Sequence, residues 1–85
     1  MEMKKVNKQE IETLKKNKSF IWTAYHSKYT LPLYQSELIK LQDLYTKYID
    51  VNTPSITCPK CILKILTALY PLAEYNGIWN NKEKQ

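Results

Sequence analysis

The sequence predicts an all-α fold: a small bundle of three main helices, at about 8–28, 32–49 and 58–75, with a polar C-terminal tail at 80–85. Apolar residues recur at helical spacing in each of the three stretches, and turn-forming residues separate the stretches. A single glycine and four prolines exclude collagen-like and low-complexity chains. A chain of 85 residues has room for one hydrophobic core, so residues 1–85 are expected to form one domain.

The first predicted helix has a complete start signal. Asn7 is placed as the N-cap residue and Glu10 follows three positions later, which is the spacing of a capping box. Val6 and Ile11 stand at the spacing of a hydrophobic staple around that cap. The apolar stripe of this helix consists of Ile11, Leu14, Ile21, Trp22, Tyr25 and Tyr29. Lys18 interrupts the stripe, and the residues at 17–19 are modest helix formers, so the pattern allows a break there.

The second predicted helix begins at Pro32, because a residue in the first turn has no intrahelical use for the N–H that proline lacks. Its apolar residues alternate at spacings of four and three over two heptads, too short a run for a coiled coil. We therefore expect this stripe to face the core of the bundle. The stripe consists of Tyr34, Leu38, Leu41, Tyr45 and Tyr48.

The third predicted helix begins near Cys58 and is apolar over most of its circumference, which predicts burial at the centre of a bundle or at an interface. Pro71 removes one backbone hydrogen bond and is expected to kink or end the helix. Asn76 and Gly77 supply a stop signal, and Ile78 is placed for the apolar contact that often follows such a cap.

The net charge of +5 arises from lysine alone, because the chain has 13 lysines and no arginine. Arginine is the usual bidentate partner of guanine edges and phosphates, so its absence disfavours a sequence-specific DNA reader. A lysine-rich N-terminal region nevertheless keeps a helical nucleic-acid-binding protein as the alternative function. The candidate residues are Lys4, Lys5, Lys8, Lys15, Lys16 and Lys18.

The N-terminal residues lack the apolar run of a secretory signal, and no stretch approaches the ~20 apolar residues that span a bilayer. We therefore expect synthesis in a cytoplasm and no membrane partner. Thiols stay reduced in a cytoplasm, so the two cysteines are expected to be free, bound to metal or redox-active, and not held in a structural disulfide.

Cys58 and Cys61 form the one C-x-x-C motif of the chain, at the predicted start of a helix. Three interpretations compete: a redox pair, a zinc site completed by His26, and two small, partly buried apolar residues. Tetrahedral zinc needs four ligands, and the chain offers only these three Cys and His residues. We favour the third interpretation, with no cofactor, and zinc would bind Cys58, Cys61 and His26 if it bound at all.

Enzymatic activity has little support in the sequence. His26 has no serine or cysteine at a spacing that implies a catalytic pair, and the carboxylates form no recognisable acid–base pair. Phosphate-binding loops need several glycines, and this chain has only Gly77. We expect a protein that is not an enzyme.

Aromatic residues are the richest remaining signal, with seven tyrosines and two tryptophans. These side chains fill small cores, and they are also the preferred anchors of protein interfaces. Because a short chain has only two other helices to cover the third, we expect the third helix to contact another protein or a second copy in an oligomer. The candidate partner-binding residues are Trp79, Ile78, Tyr75, Tyr70, Tyr45 and Tyr48.

The stretch from Leu41 to Tyr75 carries a C-x-x-C motif in front of an apolar helix, after a short Asn/Thr/Ser loop. In this it resembles small uncharacterised proteins of Bacteroidetes phages of the crAss-like group. The resemblance implies a phage origin, with synthesis in the host cytoplasm, and either a virion component or an early host-directed factor. We expect a non-enzymatic structural or interaction protein, a minor virion component that docks on a larger assembly. The lysine-rich nucleic-acid-binding protein is the alternative, and a metal- or redox-linked domain is third.

Overall fold

The computed structural model describes residues 5–30 and 32–79, so Lys4 and the predicted tail at 80–85 lie outside the described residues. Within the described part of the chain there are helices and no strand, and the predicted all-α bundle is confirmed. The described residues form four helices where the sequence predicts three main ones. They are α1 (Lys8–Lys16), α2 (Lys18–Ser27), α3 (Gln35–Tyr48) and α4 (Pro59–Tyr75).

The predicted capping box at the start of α1 is confirmed. The side-chain oxygen of Asn7 accepts a hydrogen bond from the backbone N–H of Glu10 at 2.8 Å, and Glu10 Oε1 accepts one from the Asn7 N–H at 2.9 Å. Val6 and Ile11, on either side of this cap, are partly buried against the core. The capping box and the apolar pair beside it therefore predict both the residue at which α1 begins and the face that it buries.

The stretch predicted as one helix over 8–28 is two helices, with the break at Asn17. Asn17 is only 2% exposed, and its Nδ2 donates to the Thr13 carbonyl at 2.9 Å and to Glu37 Oε1 at 3.1 Å. Its backbone leaves the helical conformation, with φ −108° and ψ 18°. The break thus coincides with an anchor between the α1–α2 corner and α3.

The helix predicted from Pro32 begins three residues later, at Gln35. Tyr34 is the N-cap residue and has extended backbone angles, φ −65° and ψ 145°. The extended approach lets Leu33 pack against the core, so Pro32 leads into the helix and is not part of its first turn.

The last predicted helix, at 58–75, agrees with α4, whose N-cap residue is Cys58 and whose first residue is Pro59. The helix continues through Pro71, which is exposed to solvent. Proline therefore does not end α4, although it leaves the carbonyl one turn earlier without its helical donor.

The predicted stop signal at the end of α4 is confirmed as a Schellman turn. Gly77 has φ 80°, a left-handed conformation that glycine adopts without steric cost. Its N–H donates to the Glu74 carbonyl at 3.1 Å, and the N–H of Ile78 donates to the Ala73 carbonyl at 3.0 Å. The turn folds Ile78 back into the core, where it is 5% exposed.

The core is centred on α4, which packs against both α2 and α3, while α1 packs against α2 and α3. Every helix contributes at least one fully buried apolar side chain to a single cluster. The cluster comprises Leu14, Ile21, Ala24, Leu41, Leu44, Tyr45, Ile65, Leu66, Leu69, Leu72, Ala73 and Ile78.

Candidate functional site

Five rings meet on the side of the molecule where α2 packs against α4. We call this set, Trp22, Tyr25, His26, Tyr70 and Trp79, the aromatic cluster. The first three belong to α2, where spacings of three and four residues place side chains on one face. Tyr70 comes from α4, and the Schellman turn after α4 brings Trp79 back to it.

The centre of the aromatic cluster is a stack of three rings. Tyr25 and Tyr70 are nearly parallel, with an interplanar angle of 8° and centroids 4.0 Å apart. Trp79 stacks on Tyr70 at 5.1 Å with an angle of 23°. Contacts of this kind add about 0.5–1.5 kcal/mol per pair beyond the area they bury. Tyr70 therefore lies between two other rings, and the stack fixes the geometry of this surface.

Within the aromatic cluster, His26 contacts three other rings. Its ring lies 4.3 Å from that of Trp22, and it meets the rings of Tyr25 and Tyr70 edge-on at 5.2 and 5.3 Å. His26 Nε2 and the Tyr70 hydroxyl are in hydrogen-bond contact at 3.3 Å. The imidazole thus links the two helices, and its tautomer decides which group donates.

Part of this surface faces solvent. Trp22 is 48% exposed and Tyr25 is 37% exposed, whereas Tyr70 and Trp79 are half-buried beneath them. Lys28 Nζ lies 5.6 Å from the centroid of Tyr25 and donates to its carbonyl oxygen at 2.9 Å. The aromatic cluster therefore presents two large rings, an imidazole and an adjoining ammonium group on one side of the molecule.

The structure separates the predicted partner-binding residues into different environments. Ile78 and Tyr45 are core residues, 5% and 4% exposed, and present no surface to a partner in this conformation. Tyr48 is half-buried and donates its hydroxyl to Glu10 Oε1 at 2.6 Å. Tyr75 is 51% exposed at the end of α4. Tyr70 and Trp79 are the two that belong to the aromatic cluster.

Trp79 is predicted as a partner-binding residue, but it is half-buried in the structure. Its ring folds back on Tyr70, and its Nε1 is buried with no hydrogen-bond partner among the described residues. Trp22 and Tyr25 of α2 face solvent instead, and their spacing in the sequence indicates only that they belong to the apolar stripe of the first predicted helix. Their spacing indicated the shared face, but no sequence signal showed that this face extends beyond the core.

The cysteine pair lies at the other end of α4. Cys58 is the N-cap residue, Cys61 is in the first turn, and both thiols are free and half-buried. Tyr70 lies nine positions after Cys61, or about 13 Å further along the helix axis. Because His26 contacts Tyr70, the structure does not bring the predicted ligand set of Cys58, Cys61 and His26 together. Residues 5–30 and 32–79 contain no group of three or more Cys, His, Asp or Glu side chains that could hold a metal.

The predicted nucleic-acid-binding lysines, apart from Lys4 outside the described residues, are exposed. Lys16 is already paired, since its Nζ lies 3.2 Å from Glu37 Oε2. Lys47, which the prediction did not include, is paired with Glu10 at 3.0 Å. Apart from Lys16, the predicted nucleic-acid-binding lysines within the described residues are Lys5, Lys8, Lys15 and Lys18.

Comparison with protein-family models, curated proteins and solved structures gives no match to this chain. The resemblance to phage proteins therefore stays a prediction. In the described part of the chain, none of the helices combines the length and apolar character needed to cross a membrane.

Proposed function

We propose that this chain is a non-enzymatic interaction protein that binds another protein through the aromatic cluster. The observation that carries the proposal is the exposure of Trp22 and Tyr25 on a packed set of rings. Tyr25 is stacked on Tyr70, Trp22 lies against His26, and His26 is in hydrogen-bond contact with Tyr70. A rigid aromatic surface loses little side-chain entropy on binding, which makes such residues frequent interface anchors.

The chemistry of the surface favours a protein as the partner. The rings offer apolar area, while the Tyr70 hydroxyl, the imidazole of His26 and the ammonium group of Lys28 offer polar contacts beside it. Interfaces combine an apolar centre of this kind with a polar rim. A partner surface with apolar side chains and a carboxylate near Lys28 fits both parts.

The resemblance to phage proteins supports a finer form of the proposal, in which the chain is a minor virion component seated on a larger assembly. In that form, the partner is a protein of the particle. Mass spectrometry of purified particles, with the copy number of this chain, tests the finer form separately from the interaction itself.

The test compares Trp22→Ala with Tyr34→Ala as a matched control. Tyr34 is 83% exposed and is not part of the aromatic cluster, so both variants remove one exposed ring. Within the aromatic cluster, Trp22 contacts His26, and its loss leaves the stack of Tyr25 and Tyr70 in place. Circular dichroism should show nearly unchanged helicity for both variants.

The expected result is loss of binding in Trp22→Ala only. Immobilised wild type and Tyr34→Ala should retain the same protein from extracts of the producing cells, and Trp22→Ala should not. With the purified partner, the dissociation constant of Trp22→Ala should rise about 30-fold, as truncation of an anchor costs ~2 kcal/mol. Analytical ultracentrifugation identifies a second copy as the partner if the wild type dimerises and Trp22→Ala does not.

Two results would contradict the proposal. One is equal retention of the same proteins by all three chains. The other is binding to duplex DNA that weakens steeply between about 50 and 200 mM salt and does not depend on Trp22, which would favour the lysine-rich nucleic-acid-binding alternative.

A further inference from the structure

The cysteine pair at the start of α4 has a geometry that the proposed function does not use. Cys58 is the N-cap residue, with extended backbone angles of φ −108° and ψ 125°, and Cys61 is the third residue of the helix. Residues three apart at a helix start are neighbours, so the two free cysteines lie on the same side of the first turn of α4. Their side chains are therefore placed within reach of each other in the reduced chain.

The two thiols differ in their acidity because of where they lie at the start of α4. The pKa of Cys58 is lowered, first by the neighbouring Cys61 thiol and then by the backbone N–H of Cys61. The pKa of Cys61 is raised, first by the neighbouring Cys58 thiol and then because partial burial disfavours its thiolate. The thiolate form of a cysteine is the nucleophile, so Cys58 is the more reactive member of the pair.

The surface beside Cys58 is open. A groove of about 310 Å³ is lined by Thr57 and Pro59, the two neighbours of Cys58, and by Ile62, one helical turn later. Tyr29 and Leu33 are among the residues that form its other side. The groove leaves room for a second sulfur compound to approach this end of α4.

We propose that Cys58 and Cys61 form a thiol–disulfide exchange site, with Cys58 as the attacking thiol and Cys61 as the resolving thiol. The oxidant is a low-molecular-weight disulfide. This site lies at the opposite end of α4 from Tyr70 and does not depend on the interaction through the aromatic cluster.

The exchange takes two steps. The Cys58 thiolate attacks one sulfur of the disulfide, which forms a mixed disulfide on Cys58 and releases one thiolate that takes a proton from water. Cys61 then loses its proton to water and attacks the Cys58 sulfur, which closes the Cys58–Cys61 bond and releases the second thiolate. Two electrons pass from the two cysteines to the small disulfide, which becomes two thiols.

The test uses the full chain, fully reduced, with mixtures of reduced and oxidised glutathione, followed by acid quenching and intact-mass measurement. The wild type should lose two hydrogen atoms and carry no glutathione at equilibrium. Cys61→Ser keeps a hydroxyl donor beside Cys58 and should accumulate one glutathione adduct. Cys58→Ser should form its adduct several-fold more slowly than Cys61→Ser near pH 7, because Cys58, as the N-cap residue, is the thiol whose thiolate the positive end of the helix favours.

Three results would overturn the proposal. The first is a wild type that carries independent glutathione adducts and forms no internal disulfide at any glutathione ratio. The second is equal adduct formation by the two single variants. The third is a chain purified with zinc, in which the metal protects both thiols from glutathione. Circular dichroism of both variants serves as the control for folding, and partner binding through Trp22 should be unchanged in them.

Discussion

Asn17 is the residue on which the corner between α1 and α2 depends. Its amide group uses both N–H donors, one to the Thr13 carbonyl within α1 and one to Glu37 of α3. Glu37 is 7% exposed, and Lys16 and Lys40 also lie within ion-pair distance of it. The hydrogen bond from Asn17, followed by the interaction with Lys16, lowers the pKa of Glu37 against the opposing effect of burial. The carboxylate is therefore stabilised in its charged form inside the fold.

We expect Asn17→Ala to reduce the free energy of unfolding by about 1–2 kcal/mol. The loss of both hydrogen bonds leaves a buried oxygen of Glu37 without its amide donor, which costs about 1–3 kcal/mol. The helix propensity of alanine does not offset this cost, because Asn17 lies outside the helical conformation. Urea denaturation followed by circular dichroism measures the change.

Ser19→Ala is the control for this prediction, because Ser19 is exposed two residues away. Its free energy of unfolding should stay within about 0.5 kcal/mol of that of the wild type. An Asn17→Ala chain as stable as Ser19→Ala would show that the corner does not depend on the buried amide.

At the scale of the element, α1 is held to α3 by Glu10. One oxygen of Glu10 accepts from the Tyr48 hydroxyl at 2.6 Å and the other from Lys47 Nζ at 3.0 Å, while the same carboxylate completes the capping box. Burial raises the pKa of Glu10, but hydrogen bonds from Tyr48, from the Asn7 backbone and from Lys47 outweigh it and lower the pKa. One carboxylate thus caps α1 and joins it to α3.

The lowered pKa makes this link sensitive to acid. A carboxyl group whose pKa is lower in the folded chain stabilises the fold fully above its unfolded value near 4.5, and this stabilisation is lost as the pH falls through the folded value. We expect Glu10→Gln to be about 1–2 kcal/mol less stable than the wild type at pH 7. The difference should shrink as the pH falls below about 4.5, in urea titrations at a series of pH values.

Glu12→Gln is the matched control, because Glu12 is exposed on α1 and its loss should change stability little at any pH. A difference between Glu10→Gln and wild type that stays constant down to the lowest pH would contradict the charged link between α1 and α3.

The helix boundaries that depend on local contacts could be predicted from the sequence, and those that depend on tertiary contacts could not. The capping box at Asn7 and the turn at Gly77 are local, because donor and acceptor lie within six residues, and both were predicted. The break at Asn17 was allowed by the pattern but not placed, since Glu37 lies 20 residues further along the chain. The start of α3 depends on the burial of Leu33, which is a tertiary contact.

The candidate site was predictable only in part for the same reason. The helix start under Cys58 follows from its own sequence, so the position of the thiol pair was expected. The aromatic cluster joins α2 to the end of α4 across 44 residues between His26 and Tyr70. Composition indicated a surplus of rings, but the packing of α2 on α4 decides that Trp22 faces solvent and Ile78 does not.

For the whole molecule, the central position of α4 predicts that the four helices unfold together. Its buried residues share one cluster with those of all the other helices, so no helix can leave without exposing part of the same core. Small domains of this kind usually unfold in one cooperative transition. Both tryptophans of the chain, Trp22 and Trp79, belong to the aromatic cluster, so their fluorescence reports the contact between α2 and the end of α4.

We therefore expect urea unfolding followed by tryptophan fluorescence and by circular dichroism to give the same midpoint and the same slope. Asn17→Ala removes hydrogen bonds between the α1–α2 corner and α3 that involve neither tryptophan, and it should still lower both midpoints equally. A fluorescence transition below the circular dichroism transition would mean that the aromatic cluster opens before the core unfolds. The surface proposed for partner binding would then be a separately folding part of the molecule, and its rings would not be fixed in advance of binding.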